Sequence, residues 1–387
     1  MNTKVVAIFA IAILAAAGAG VAVYAFNGNQ ENGEITIVDG SGKTVTLSAP
    51  PNKVAVLNTN IPRAMMMLGI SDKICCYHYG SNTFGIEAEK DSTNKLGTYY
   101  TPSVEKLLQK KVEVVLCPVS SMTIYTSVQT ACENVGIKVI RLDCNGSTIS
   151  EDLIKLSKIF GNPASATNAL AKYNNDRDTI LNAITSKLQV DAVSKETFLC
   201  VFSSRDAIYN QTSALSDTFK TIFSDNVTSM TDLPTTGVTN TINDGCIEAI
   251  REVESQVNNL IVRATSGDVS SSEFLAHYNN FVGDSKLIRP TATVATSNDV
   301  YVVANALCSG LYAPIGILLM AEKIYGIEVS ITLDLDGEKT YTGLDDISSL
   351  ITDFQKCYHL VDFEDTNVLM TQCTTSGTAA DTIVYSA

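Results

Sequence analysis

The stretch SEDLIKLSKIFGNPASATNALAKYNNDRDTILNAITSKL, Ser150 to Leu188, sets the architecture of the chain. It divides into a short helix, a break and one long helix. Ser150 is placed to cap the first helix, and Glu151 and Asp152 fall in its first turn, where carboxylates complement the positive helix end. Gly161 ends it. Asn162 and Pro163 then form a second start signal, a cap followed by proline at the first helical position. Beyond them Ala166, Leu170, Tyr173, Ile180, Ile184 and Leu188 recur on one helix face, with Arg177 interrupting the stripe. About 26 residues at roughly 1.5 Å each make a rod about 39 Å long. The segments before and after this rod both alternate strand-like and helix-like runs. The spacing therefore predicts two α/β lobes joined by a stiff helix, with a ligand cleft between them.

Composition narrows the functional classes. At 387 residues the chain has room for two domains and a substantial core. A formal net charge of −14, with no Lys/Arg cluster, argues against a nucleic-acid partner. Val5 to Phe26 is almost wholly apolar, with Lys4 before it and a polar run, Asn27 to Asn32, after it. About 22 residues can span a bilayer. The expectation is an uncleaved membrane anchor or a cleaved signal peptide, either of which places Gly33 onward outside the cytoplasm. Asn145, Asn210 and Asn226 stand in Asn-x-Ser/Thr sites, compatible with export. The 10 cysteines form no regular ladder and no CxxC, which argues against a structural zinc site. Cys117, Cys200 and Cys308 sit in or beside apolar runs and read as small core residues, as does the adjacent pair Cys75-Cys76. The Met65-Met66-Met67 run reads as core rather than thioether ligands, because consecutive residues do not share a helix face.

The chain is divided into an anchor or signal plus linker (1–32), an N-terminal lobe (33–149), the connecting helix (150–190), a C-terminal lobe (191–359) and a tail (360–387) to which the pattern gives no partner. In the first lobe Ile35–Val38 and Thr44–Leu47 flank a glycine-containing turn and read as a β-hairpin. Val54–Leu57, Lys73–Cys76, Val112–Leu116 and Ile137–Leu142 read as strands separated by helices. Thr101 is the expected cap and Pro102 the expected first residue of the helix that carries Glu105. Short linkers between strand and helix imply parallel sheets covered on both faces. In the second lobe the strands are Thr197–Phe202, Leu260–Val262 and Val300–Val303. Asp244 is the expected cap of a helix, Cys246 to Val253, with Glu248 in its first turn. Thr228–Thr241 reads as loop.

Several of these segments carry a resemblance. Ile35-Thr-Ile-Val-Asp-Gly-Ser-Gly-Lys-Thr-Val-Thr-Leu47, the strand at Lys53-Val54 and the helix ending Leu68-Gly69-Ile70 resemble the substrate-binding proteins of ABC importers for iron complexes and cobalamin, the class III, helical-backbone type. Gly97 to Pro118, with its Pro-Ser-x-Glu helix start, is the most specific match. Asn298 to Tyr325 resembles the late second lobe of that family, and the likeness spans roughly Glu34 to Asp336. The resemblance implies two α/β lobes on one long helix, no catalysis, no cofactor, and a permease partner served by a separate ATPase subunit. It also implies docking to that permease through one glutamate per lobe, Glu105 and Glu248. Exposed carboxylates on rigid elements can steer and register such an encounter.

In open α/β sheets, ligands bind beyond the carboxyl ends of the strands. That rule selects Asn60, Tyr77, His78, Tyr79, Tyr99, Tyr100 and Ser121 from the first lobe, and Arg205, Tyr209, Asn305 and Tyr312 from the second. The tyrosines suit a macrocycle or flat chelate, by stacking or as phenolate ligands, and Arg205 suits an anionic group. The expected cargo is a ferric siderophore, corrinoid or haem-type chelate. A bare-metal site is disfavoured, since the chain has only 3 histidines, at 78, 277 and 359. A chelatase-like enzyme lacks its His/Glu pair here. The remaining alternative is a membrane-anchored sensor or adhesin on the same fold.

Overall fold

The computed structural model describes residues 33–78, 84–97, 102–119, 122–202, 207–234, 238–239, 242–264, 271–360, 368–373 and 379–384. The apolar segment at 5–26 lies outside the described residues. Among those described, no helix is long and apolar enough to cross a membrane.

Strands β1 (Ile35–Val38) and β2 (Thr44–Leu47) form the expected antiparallel hairpin. Ile35, Ile37, Val45 and Leu47 are buried and their neighbours face outward, the period-two pattern of a half-covered sheet. Asp39 closes the turn, one oxygen accepting from Ser41 N at 2.9 Å and Lys43 N at 3.1 Å. Its other oxygen accepts from Arg141 N at 3.1 Å, which fastens the hairpin to the lobe behind it.

The first lobe continues with β3 (Val54–Val56), α1 (Asn60–Met67), β4 (Ile74–Tyr77), α2 (Val104–Gln109), β5 (Val114–Cys117), α3 (Met122–Asn134) and β6 (Lys138–Arg141). The four strands pair in parallel in the order β4-β3-β5-β6. Met65 and Met67 are buried core residues, as their spacing implies. Ser103, not Thr101, caps α2, accepting from Lys106 N at 3.2 Å. Pro102 instead bridges to Gly97 ahead of the helix, because a proline flanking the cap holds the chain extended.

Helix α4 (Ile149–Ile159) leads to the rod, α5 (Ala164–Val190). Gly161 (φ 79°) and Asn162 (φ 52°) both turn left-handed between them, so Asn162 belongs to the break and Pro163 takes the cap position. All six apolar residues of the stripe are buried. The interruption resolves at the neighbouring position: Arg177 turns outward to Asp178 and Ser150, and Asp176 is the buried one. Its carboxylate accepts from the Tyr358 hydroxyl at 2.5 Å, which ties the rod to the last helix.

The second lobe contains β7 (Phe198–Phe202), β8 (Ala207–Tyr209), α6 (Ala214–Phe219), β9 (Val238–Thr239), α7 (Asp244–Glu252), β10 (Asn259–Arg263), α8 (Ser271–Phe281), α9 (Thr293–Thr296), β11 (Val300–Val303) and α10 (Ala313–Tyr325). It ends with the hairpin β12 (Ser330–Asp334) and β13 (Glu338–Thr342), α11 (Ile347–Tyr358), β14 (Val368–Cys373) and β15 (Ala379–Val384). Its seven-stranded sheet runs β15-β14-β11-β10-β7-β8-β9. Only β7, β10 and β11 are parallel; the flanking strands are antiparallel. The sheet is thus mixed. The Thr-rich run contributes the edge strand β9. The tail has a place after all: it is a hairpin that extends the sheet beyond β11.

All ten cysteines lie among the described residues, and none of them is joined in a disulfide. The three glycosylation-type asparagines are used internally. Asn210 and Asn226 are buried, and Asn226 Nδ2 donates to Tyr209 O at 2.8 Å. Asn145 Oδ1 accepts from Gly146 N at 2.8 Å and Gly310 N at 2.9 Å.

One buried acid makes stability pH-dependent. Glu322 on α10 accepts from Val329 N at 2.9 Å, while its second oxygen has no partner among the described residues. Burial pushes the carboxyl up to about 7; the Val329 N–H opposes the shift and Glu328 adds to it. Because the folded value lies above the ordinary 4.5, the contribution is fully present below pH 4.5 and is lost as pH rises through 7. Glu322→Gln is therefore expected to match the parent near pH 4.5 and to exceed it by about 2–3 kcal/mol at pH 8. Urea unfolding across that range checks it, and parallel pH profiles for the two chains would refute it.

Candidate ligand site at the facing strand ends

The carboxyl ends of the two sheets meet. Asn58, just beyond β3, accepts from Ile61 N at 2.8 Å and so starts α1. Asn60, the first residue of that helix, donates through Nδ2 to Asp143 O at 3.4 Å, beyond β6. Gly310 arrives from the other lobe, beyond β11, and donates its backbone N–H to Asn145. Its φ of +66° is left-handed, and a Cβ there would stand 3.0 Å from Asn60 Oδ1. That oxygen is itself buried without a hydrogen-bond partner among the described residues. Asn60, Asn145 and Gly310 thus form the seam where the lobes touch, and the strand ends on either side of it line the candidate site.

On the second-lobe side the organising residue is Arg263, the last residue of β10. Its guanidinium lies 4.9 Å over the Phe202 ring and 5.7 Å over the Tyr209 ring. It donates to the Tyr209 hydroxyl, to Asn305 Oδ1 at 2.6 Å and to Ser309 Oγ at 3.4 Å. All three acceptors are neutral, and no carboxylate pairs with it among the described residues. Half-buried beside strand ends from β7, β8 and β10 and the turn after β11, a permanent cation held by neutral groups among the described residues suits an anionic ligand group.

The expected residues divide accordingly. Tyr209 and Asn305 are brought together by Arg263, and Asn60 stands at the seam. Tyr209 is itself buried, so its hydroxyl, rather than its ring face, serves the site. Tyr77 and His78 lie at the end of β4; Tyr77 is half-buried and His78 is buried, its backbone N–H donating to Val56 O at 2.8 Å. Burial lowers the His78 value, with Lys95 adding to the effect, so its ring is neutral at pH 7. Burial raises both the Tyr77 and Tyr209 phenols. They are therefore neutral hydrogen-bonding groups at pH 7, not ready phenolates. Tyr312 is a correction: it is fully buried, its ring 5.6 Å from that of Phe354, because the turn at Ser309-Gly310 sends the following residues into the core. Tyr79, Tyr99, Tyr100, Ser121 and Arg205 lie outside the described residues.

Arg263 escapes the sequence reading, which ends its strand at Val262. Its signal is a charged residue closing an otherwise apolar strand, at the end where ligands bind. Glu105 and Glu248 are both exposed, on helices that precede matching parallel strands, β5 and β10. Asn243 caps α7, accepting from Cys246 N at 3.0 Å, and the helix begins at Asp244. Glu248 is thus in the second turn rather than the first. Among the described residues no cluster of three or more His, Cys, Asp or Glu could hold a metal ion.

No family model matches the chain, and no curated protein matches it in sequence. Solved structures do match. The Helicobacter pylori protein CeuE in its Ni-His complex is 17% identical, with 85% of this chain and 97% of that one covered at a TM-score of 0.59. A TroA-like periplasmic binding protein, FepB, from Veillonella parvula is 14% identical, covering 87% and 99% at 0.55. A periplasmic heme-binding protein from Pseudomonas aeruginosa is 13% identical, covering 71% and 93% at 0.52. The chain therefore shares its α/β fold with these proteins.

Proposed function

We propose that this chain is an exported solute-binding protein of an ABC importer. It captures an anionic metal chelate, a ferric siderophore, corrinoid or haem-type molecule, between its lobes and delivers it to a permease. It is a binding protein, not an enzyme. The observation that carries this reading is Arg263, a cation held at the strand ends by neutral groups among the described residues. The fold supports it, because this two-lobed architecture on a stiff rod permits only modest closure around a bound molecule. The apolar segment at 5–26 is read as an anchor to the outer face of the cell membrane, or as its cleaved equivalent.

The test is a titration of the full chain with a panel of ferric siderophores, cobalamin, haem and free divalent metals, following tyrosine fluorescence. The expected result is micromolar or tighter binding of one anionic chelate. Tight binding of a free metal alone would overturn the chelate reading, and binding of nothing on the panel would favour the sensor or adhesin.

Docking is separable from capture. Changing Glu105 and Glu248 together to lysine is expected to reduce ligand uptake in cells by about 10-fold or more while leaving ligand affinity unchanged, since lysines facing a basic docking surface would place like charges together, which repel. Unaltered uptake would remove the permease role from these two residues.

A further inference from the structure

The edge strand β4 carries an irregularity that the ligand site does not use. Val54 pairs with Ile74, but Ala55 pairs with Cys76 and Val56 with Tyr77. Cys75 is the extra residue of a β-bulge. In a regular strand Cys75 and Cys76 would point to opposite faces. Here both pack on the same face: Cys76 is part of the apolar cluster with Ala55, Leu57, Leu107 and Val115, and Cys75 lies against that cluster. Cys75 Sγ donates to Val54 O at 3.5 Å. Cys75 and Cys76 are the two middle residues of β4, and their side chains join the cluster on the sheet face opposite to the one that takes Ile74 and Tyr77.

From this geometry we infer that Cys75 and Cys76 form a vicinal dithiol site for a soft, thiophilic centre held by two sulfurs, with trivalent arsenic as its test case. The site stands apart from the proposed capture of a chelate. Cys75 is half-buried on an edge strand and is the entry point. The neighbouring Cys76 side chain lowers its thiol value despite burial, and Lys53 and Lys110 assist. Cys76 is buried and closes the chelate from beneath. The reaction needs no oxidant: an organoarsenic oxide, R–As=O, meets two S–H groups, two As–S bonds form, and the oxygen leaves with both protons as water. Seven other cysteines are buried, Cys144, Cys200 and Cys308 with thiols raised by burial. Cys357 is half-buried, and no second cysteine lies next to it in the chain.

The experiment treats the folded full chain with phenylarsine oxide and reads the product by intact and peptide mass spectrometry. One bridging arsenical per chain is expected, on the peptide holding Cys75 and Cys76. Cys75→Ser and Cys76→Ser are each expected to weaken retention against a competing dithiol by about 100-fold, the loss of one arm of a chelate. Cys75, half-exposed at an edge, is the variant that keeps the test valid if Cys76→Ser does not fold. Bridging at another cysteine pair, retention unchanged by Cys75→Ser, or reaction only after unfolding would each overturn the site.

Discussion

Replacing Arg263 by methionine is expected to weaken binding of the anionic chelate by about 30- to 100-fold, the equivalent of about 2–3 kcal/mol for hydrogen bonds from a charged group. The reasoning starts from the partners. Arg263 is held by Tyr209, Asn305 and Ser309 and lies over the rings of Phe202 and Tyr209. Each of these fixes the guanidinium in place, and none neutralises it. A bound anion would supply the missing charge in a partly dehydrated setting, where the attraction is much stronger than in open water. Methionine keeps length and apolar contact with the two rings but removes charge and donors. Arg263→Lys keeps the charge without the planar fork and should fall between the two. Calorimetric titration of parent and variants with the chelate found in the panel makes the measurement. Equal affinity in all three would move the anion contact away from β10 and withdraw the observation on which the functional proposal stands.

The second large effect is expected at Gly316, on the inner face of α10. A Cβ built there would stand 1.9 Å from the carbonyl oxygen of Leu307 and 2.7 Å from its carbon. Those are backbone atoms, so no side-chain rotation relieves the clash. Gly316→Ala must push α10 away from the turn at Asn305–Cys308, and is expected to cost about 3 kcal/mol or more. Asn305, whose side chain accepts from Arg263 Nε at 2.6 Å, belongs to that turn. Destabilisation and weakened chelate binding should therefore appear together. Urea unfolding monitored by circular dichroism reads the first, and the titration reads the second. A variant with parental stability would mean that the helix and turn can separate freely, contrary to the tight packing of Leu307 and Ile315 in the core.

Much of the fold is legible because its causes are local. The apolar spacing of α5 depends only on helical periodicity, and all six residues of the predicted stripe are buried. The first hairpin follows from two-residue alternation and a glycine-containing turn. Caps move by a residue or two, from Thr101 to Ser103 and from Asp244 to Asn243, because several polar residues near a helix start compete to accept the first N–H groups. The hairpin β12–β13 has no counterpart in the sequence reading. Its inner residues Ile331 and Leu333 alternate with an exposed ladder of Ser330–Thr342 and Thr332–Thr340 hydroxyl pairs, a weak signal in a threonine-rich chain.

The candidate site is less legible, for a different reason. The rule that ligands meet strand ends selects Asn60, Tyr209 and Asn305 from order along the chain alone. It does not say that Tyr312, two residues past a left-handed glycine, turns inward against Phe354 on α11. Nor does it say that Arg263, rather than a neighbouring polar residue, is the cation that gathers the second-lobe loops. Local sequence determines the rod and the strand–helix alternation, because periodicity and turn chemistry act within a few residues. Tertiary packing alone assigns the tail to the sheet edge, brings Gly310 to Asn145 and surrounds Arg263 with neutral acceptors. Those outcomes depend on contacts between residues far apart in the chain, set by how whole elements bury their apolar faces together.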